Sequence, residues 1–585
     1  MKETKKYYIF DVLKKSSIFL LMLFFFIMTI TSLGFFAKIS VTSLHLPVIY
    51  IFTILVFLLL YRKDKINKKI VSLILATFIF VIGIWAIGHF YDITQDGNTY
   101  HKLAIGQLKN GWNPVYESSR DFNKEQGNAF DILDENYNPM WVDHYPKGTE
   151  IFASTIYAVT GNIETGKVFT VLLMYIVFGL ITSYLVNEKN KNVIFSLLIG
   201  FLLVVNPISL VQFNNYYVDA TIMFSIAIIL LELVAIADKN KKTDLSSQIE
   251  RYLVLAAGIA ICINAKFTGI AFAAMFCFAF YVYWLILAYK EGKEIFIKKL
   301  KEYSIFYVIA VVISVGVIGY TSYFHNFISF GHPLYPLYNE PTVQNIPEKE
   351  QPKSFADKNH LETFLISLFS KGENVLPSYP VDQNQPELKV PFTTSKEEIK
   401  NYTIPDIRIG GFGPLFSGVI ILAGIATIYL LVKYAIQKRW NIFIPYVIIL
   451  GVMAILILVI DGNYWARYIS YFYIVPIMAL IGLFEDLKNK KQAIAGVIIA
   501  IAMMFNIGLI AYSNFEYVIE NNRYISRNLN EFKNYASTQE TVKIKLNEYG
   551  FQSVCYNIDD MGITNYVIDQ NIENFKDGLY FWYEI

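Results

Sequence analysis

Residues 70–90 read Ile-Val-Ser-Leu-Ile-Leu-Ala-Thr-Phe-Ile-Phe-Val-Ile-Gly-Ile-Trp-Ala-Ile-Gly-His-Phe. They run directly into Tyr91-Asp-Ile-Thr-Gln-Asp-Gly-Asn-Thr-Tyr-His101, and Gly111-Trp-Asn-Pro114 follows. About 20 apolar residues are enough to cross a bilayer. Asp96 and His101 therefore stand where a membrane span ends. Ionisable groups at that depth are costly to keep, so they point to a site.

The rest of the chain fits that reading. It has 585 residues, 55% of them hydrophobic and 17% charged, with mean hydropathy +0.41. A soluble chain of this length carries more charge. Aromatic residues make up 16%, and Tyr and Trp favour the membrane–water interface. The net charge of +2 is spread over short loops and gives no reason to expect nucleic acid. Cys262, Cys277 and Cys555 form no C-x-x-C pair, so neither a zinc site nor a disulfide is expected. The first apolar run, 16–36, is too long for a signal-peptide core and reads as a retained span.

Apolar runs recur at 16–36, 44–61, 70–91, 167–186, 193–212, 216–237, 252–265, 267–289, 303–324, 413–435, 441–460, 468–485 and 492–512. They predict a polytopic all-α membrane protein of about 13 transmembrane helices. Residues 252–289 are read as two short helices broken near Asn264–Gly269, or one span with an unwound end. With the N-terminus inside, alternate loops are short and Lys/Arg-rich: 62–69, 188–191, 238–251, 290–301, 433–439 and 486–491. The positive-inside rule then leaves 92–166, 325–412 and the tail outside, in a multi-pass protein of the cell membrane. Residues 98–110 and 148–160 suit helices lying in the interface. Residues 325–414 hold 11 of the 18 prolines, which predicts a cap of turns rather than helix. The expected division is a membrane module, 1–512, and a small extracytoplasmic α/β region, 513–585.

Ionisable residues at span boundaries collect on the outer side: Asp96, His101, Asp143, His144, Lys147, Asp219, Lys266, His325, His332, Asp461 and Arg467. Nucleotide sugars are cytoplasmic, so an activated donor used outside must arrive in the lipid. Transfer then needs a carboxylate base, cations for the departing phosphate and a groove for the lipid chain. Asp96 is the base candidate. The competing reading makes Asp96 a helix cap, a role that Asn98 or Thr99 could equally fill. His101 is expected near the same carboxylate. Asp143, His144 and Lys147 read as a sugar, phosphate or metal cluster, or as a solvated turn. Asp219 begins a span, where a carboxylate also suits the helix dipole. Lys266 sits at the expected helix break, and Arg467-Tyr468 opens a span; both cations suit phosphate. His325 and Asn326 face the donor or form a structural corner.

The phrases G-W-N-P, H-Y-P-K-G, Y-Y-V-D, K-F-T-G and F-G-H-P-L-Y-P, in this order, resemble bacterial GT-C glycosyltransferases of unassigned specificity. The resemblance covers 70–336 best, and again the region of Arg467. It implies a GT-C-like helical bundle with interfacial helices in the first outer loop. It also implies an enzyme moving a sugar from a polyprenyl-phosphate donor to a cell-envelope glycan, lipid or protein acceptor. In that reading Asp96 is the base. His101, Asp143, His144, Lys147, Asp219, Lys266, His325, Arg467 and Tyr468 bind substrate. Two spans precede the family-like first one, and the first loop has no Asp-x-Asp pair. The second departure weakens the case for a divalent cation, Mg or Mn, although Asp96 with Asp143 or Asp219 could still share one. The alternatives are a ligase or polymerase of lipid-linked glycans, and a transporter or flippase of a lipid-linked sugar.

Overall fold

In a computed structural model, the structure describes residues 2–125, 139–238, 245–341, 343, 350–374, 385–546, 552–569, 571–573, 575–577 and 581–584. Among these, ten helices are long and apolar enough to cross a membrane, which supports a polytopic membrane protein. Three shorter apolar helices, His45–Leu60, Val193–Val204 and Ser470–Leu483, occupy three further apolar runs.

Local chemistry explains where the helices depart from the apolar runs. The run 193–212 does not form one helix. The Asn206 side chain accepts from the Ile208 and Ser209 amides at 3.0 and 3.1 Å, and Ser209 Oγ accepts from the Asn206 amide. That reciprocal cap ends Val193–Val204 and starts Pro207–Gln212. Residues 252–289 form parts of two full helices, Leu245–Ala265 and Thr268–Glu291, which meet at Lys266-Phe267. The expected basic loop 290–301 is mostly helical. Only Gly292, at φ +131°, separates Thr268–Glu291 from the next helix, which starts at Lys293. The lysines at 239, 241 and 242, expected in another basic loop, lie outside the described residues.

The two helices expected in the interface exist, but they are core elements. In Lys102–Asn110 every residue from Lys102 to Leu108 is buried, and in Gly148–Thr160 every residue from Gly148 to Tyr157. Phe24 of the first helix packs on Phe152 with ring centroids 4.2 Å apart. A Cβ on Gly106 would lie 2.1 Å from the Tyr556 ring, so the C-terminal region covers this helix too. The proline-rich segment is also not purely turns. It contains the helices Asn326–Phe330, His360–Leu368 and Lys396–Asn401. Asn359 and Ser395 cap the last two.

The last helix, Lys490–Ala536, has 47 residues. At 1.5 Å per residue it is about 70 Å long, more than twice the roughly 30 Å of bilayer hydrocarbon. It runs unbroken through position 512. Its far end carries a small sheet of β1 (Val542–Leu546), β2 (Tyr566–Ile568), β3 (Phe575–Asp577) and β4 (Phe581–Glu584). The order is β2-β1-β4-β3, with β1 and β2 parallel and the other pairs antiparallel. Helix Val554–Asp560 makes the crossover between the parallel strands and docks on the first loop. Ser553 Oγ donates to the Asn98 carbonyl at 2.7 Å, and Asn557 Nδ2 to Glu164 at 2.9 Å. Asp560 accepts from Tyr157 Oη and the Ile163 amide, both at 2.7 Å.

Candidate functional site

The turn that presents Asp96 is built by the residues just before it. The Asp92 carboxylate accepts from the Thr94 amide at 2.8 Å, Thr94 Oγ1 at 2.7 Å and the Tyr216 amide at 2.8 Å. Thr94 Oγ1 accepts from the Gly97 amide at 3.3 Å. A Cβ at residue 97 would lie 2.1 Å from Asp92 Oδ2, so only glycine lets the turn close on that carboxylate. Capping therefore belongs to Asp92 and Thr94. The Asp96 side chain makes no capping hydrogen bond. Asn98 Nδ2 donates to the carbonyls of Asp92 and Thr94, so Asn98 does not cap either.

Released from capping, Asp96 Oδ2 accepts from Arg467 Nη1 at 3.2 Å. The same Nη1 lies 3.7 Å from Asp219 Oδ2. Asp219 accepts from Lys266 Nζ at 2.7 Å and from Gln212 Nε2 at 3.0 Å. Gln212 Oε1 accepts from the Ala220 amide at 2.8 Å, so Gln212 serves the helix start and leaves Asp219 to the cations. A third carboxylate completes the cluster. Asp406 Oδ1 lies 3.1 Å from Arg467 Nε. That approach is not aligned as a hydrogen bond, and both atoms leave capacity unused. Aromatic faces enclose the cations. Trp465 and Tyr217 lie 4.2 and 4.9 Å from the Arg467 guanidinium, and Tyr468 lies 4.1 Å from Lys266 Nζ.

Exposure ranks the three carboxylates. The side chains of Asp96 and Asp406 are 29% and 27% exposed, and that of Asp219 is 2% exposed. Burial pushes the Asp406 carboxyl up to about 6, against the pull of Arg467 and with the push of Asp96. Burial works against the Arg467 charge, but Asp406, Tyr468 and Tyr217 hold the guanidinium above its ordinary range. Asp96, Asp219 and Asp406 against Arg467 and Lys266 leave one negative charge in excess. Arg408 stands beside the cluster, 4.9 Å from the Trp465 ring. It donates to Glu350 at 2.5 Å, while its buried Nε and Nη1 have no hydrogen-bond partner.

Four of the residues singled out in the sequence, Asp96, Asp219, Lys266 and Arg467, thus meet in one place, with Tyr468 as a wall. The others lie apart. His101 Nδ1 bonds Glu150 Oε1 at 3.0 Å rather than Asp96, and both side chains are buried. Asp143 accepts from the Ser119 amide at 2.8 Å, and burial raises its carboxyl. His144 Nδ1 bonds Asn326 Oδ1 at 2.7 Å, and burial lowers the imidazole to about 4, which keeps it neutral. Lys147 is fully buried, donates to the Tyr145 carbonyl at 2.6 Å and lies 3.6 Å from Glu150. Each of these groups makes an internal bond away from Arg467. His325 Nε2 bonds its helical neighbour Ser329 at 3.3 Å, and its ring lies edge-on to Phe330. His332 receives the Leu334 amide, and Asp461 pairs with His360 at 3.3 Å on the surface.

Asp406, Arg408, Tyr217 and Trp465 were not read as site residues from the sequence. Asp406 and Arg408 lie in the proline-rich segment, and only the folding of that segment over the helix ends brings them to Arg467. Among the described residues no group of three or more His, Cys, Asp or Glu is placed to hold a metal ion. Asp96 and Asp219 converge on Arg467, and Asp143 is held elsewhere by Ser119. No protein-family model matches the chain, nor does any curated protein or solved structure.

Proposed function

We propose that this protein is an integral-membrane glycosyltransferase of GT-C type, with about 13 spans. It takes a sugar from a polyprenyl-phosphate carrier to a cell-envelope acceptor on the extracytoplasmic face. The observation that carries this reading is the contact between Asp96 and Arg467. A partly exposed carboxylate and a fork-shaped cation lie 3.2 Å apart where several apolar helices end. Base and phosphate binder are thus neighbours. Asp96 takes the acceptor hydroxyl proton as that oxygen bonds the sugar. The sugar–phosphate bond breaks, and the phosphate leaves toward Arg467 and Lys266.

The cavity beside Arg467 is about 10 Å³. A donor therefore enters only if the carboxylates part from the guanidinium. Asp96 is the most exposed of the three and the natural one to be displaced. Arg467 Nε and the free donors of Arg408 offer further hydrogen bonds to phosphate oxygens. A transporter needs ionisable groups along a path through the bundle, whereas the groups here gather at the two ends, which favours the enzyme over a flippase.

The test uses purified protein, a lipid-linked sugar donor and the variant Asp96→Asn. The variant keeps shape and loses basicity. Expression and donor binding should persist, and transfer should fall by roughly 10²–10⁴-fold. Turnover near wild type would show that the base lies elsewhere.

A further inference from the structure

One cavity lies away from the Asp96 cluster. It is a cleft of about 390 Å³ toward the opposite end of the bundle. That volume is within the roughly 300–1,000 Å³ of ligand sites. The walls are apolar: Ala227, Leu231 and Val234 on one helix, Pro445 on another, Ile477 and Ile481 on a third. From Ala227 to Asp238 the wall rises eleven residue steps, about 16 Å at 1.5 Å per residue. One leaflet of a bilayer has about 15 Å of hydrocarbon, half of roughly 30 Å. The cleft therefore has the depth of one lipid tail.

Its mouth is charged. Lys189, Lys191 and Arg439 line it with Asp238 and Glu485, three cations to two carboxylates. Lys189 pairs with Asp238 at 2.5 Å, and Arg439 grips Glu485 through both terminal nitrogens. Lys191 reaches Glu485 only at 3.9 Å. Burial, with Arg439 and Lys189 nearby, holds the Lys191 ammonium below the usual lysine range despite Glu485 and Asp486. The adjoining turn and the start of the helix after it carry Asp486 but also Lys488, Lys490 and Lys491, all exposed. Positive charge is in excess at the level where a headgroup would sit.

We propose that this cleft binds a phospholipid with an anionic headgroup, one acyl tail between Ala227 and Ile477 and the phosphate at Lys191. Charge complementarity and leaflet-matched depth select this occupant, independently of the glycosyl-transfer reading. The test is native mass spectrometry of the full-length protein in detergent. Probes are dioleoyl phosphatidylglycerol, dioleoyl phosphatidylcholine and inorganic phosphate. Wild type should retain phosphatidylglycerol about tenfold more than phosphatidylcholine, as one to two charge-assisted bonds would give. Lys191→Gln should bring the two lipids close to parity. Ala227→Phe and, independently, Leu231→Trp should fill the cleft and reduce retention of both, with an unchanged elution volume reporting the fold. Equal retention of the two lipids by wild type would overturn the proposal. So would retention that neither cleft-filling variant alters. Displacement of phosphatidylglycerol by millimolar phosphate would make this an inorganic-anion site and equally overturn it.

Discussion

Arg467 and Arg251 are both arginines among carboxylates, at opposite ends of the bundle, and they are held in different ways. Arg251 donates to Glu188 at 2.5 Å and to Glu232 at 3.1 Å. Lys14 joins the same group, 2.5 Å from Glu250 and 3.5 Å from Glu188, and Tyr61 Oη donates to Glu250 at 2.7 Å. Both of these guanidinium contacts are made hydrogen bonds. Arg467 instead faces three carboxylates at 3.1, 3.2 and 3.7 Å, and only the Asp96 contact is an aligned hydrogen bond. Three aromatic faces enclose it, and its Nε is unused. A satisfied group locks helices together. An over-supplied, poorly aligned one keeps partners to exchange for a ligand.

The coarsest way to break this comparison is to find that the ends face the wrong compartments. Native cysteines are buried, so single introduced thiols report cleanly. Asn571→Cys should label with an impermeant reagent from outside intact cells, and Lys438→Cys should not. Both positions are exposed, so the readout is all or none. Reversed labelling would put Asp96 in the cytoplasm and end the argument for a lipid-borne donor.

A second measurement separates holding from function. Arg251→Ala leaves Glu232 buried without its partner, and loss of a buried partner costs about 3–5 kcal/mol. Thermal unfolding in detergent should move down accordingly. Arg467→Lys keeps the charge and loses the fork. It should leave unfolding nearly unchanged while weakening donor binding by about 10–100-fold, the scale of one charge-assisted phosphate contact. Equal thermal penalties with normal donor binding would erase the distinction between the two ends.

The smallest effect concerns pH. The Asp406 carboxyl is raised to about 6, so it is protonated below that pH and ionised above it. As pH falls through 6, the cluster loses a negative charge and Arg467 loses a competitor. Binding of an anionic sugar phosphodiester should strengthen several-fold between pH 7.5 and 5, about 1 kcal/mol for one screened charge. Asp406→Asn should flatten that dependence. An unaltered pH profile in the variant would remove Asp406 from the site.

Part of this site is legible along the chain. Asp96, Asp219, Lys266 and Arg467 each follow or precede a long apolar run, and hydropathy alone puts them at helix ends. Their mutual contacts could not be read there, because 371 residues separate Asp96 from Arg467. Asp406 carries no local signal at all. Its carboxylate matters only because the proline-rich segment folds over Arg467. His101, His144 and Lys147 show the opposite case. The sequence marks them as polar groups near a membrane surface, but it does not say what covers them. Glu150 holds His101, the Tyr145 carbonyl holds Lys147, and Asn326 with the rings of Phe330 and Tyr335 covers His144.

By itself, then, the sequence determines the apolar helices, a break near Lys266 and a small α/β region in the tail. Those follow from local pattern, since a run of about 20 apolar residues or a cap acts over one or two turns. Only the tertiary structure decides which ionisable groups are satisfied and which keep bonds in reserve. That depends on distances between residues far apart in the chain, and on whether burial leaves a carboxylate such as Asp406 with a well-aligned partner or without one.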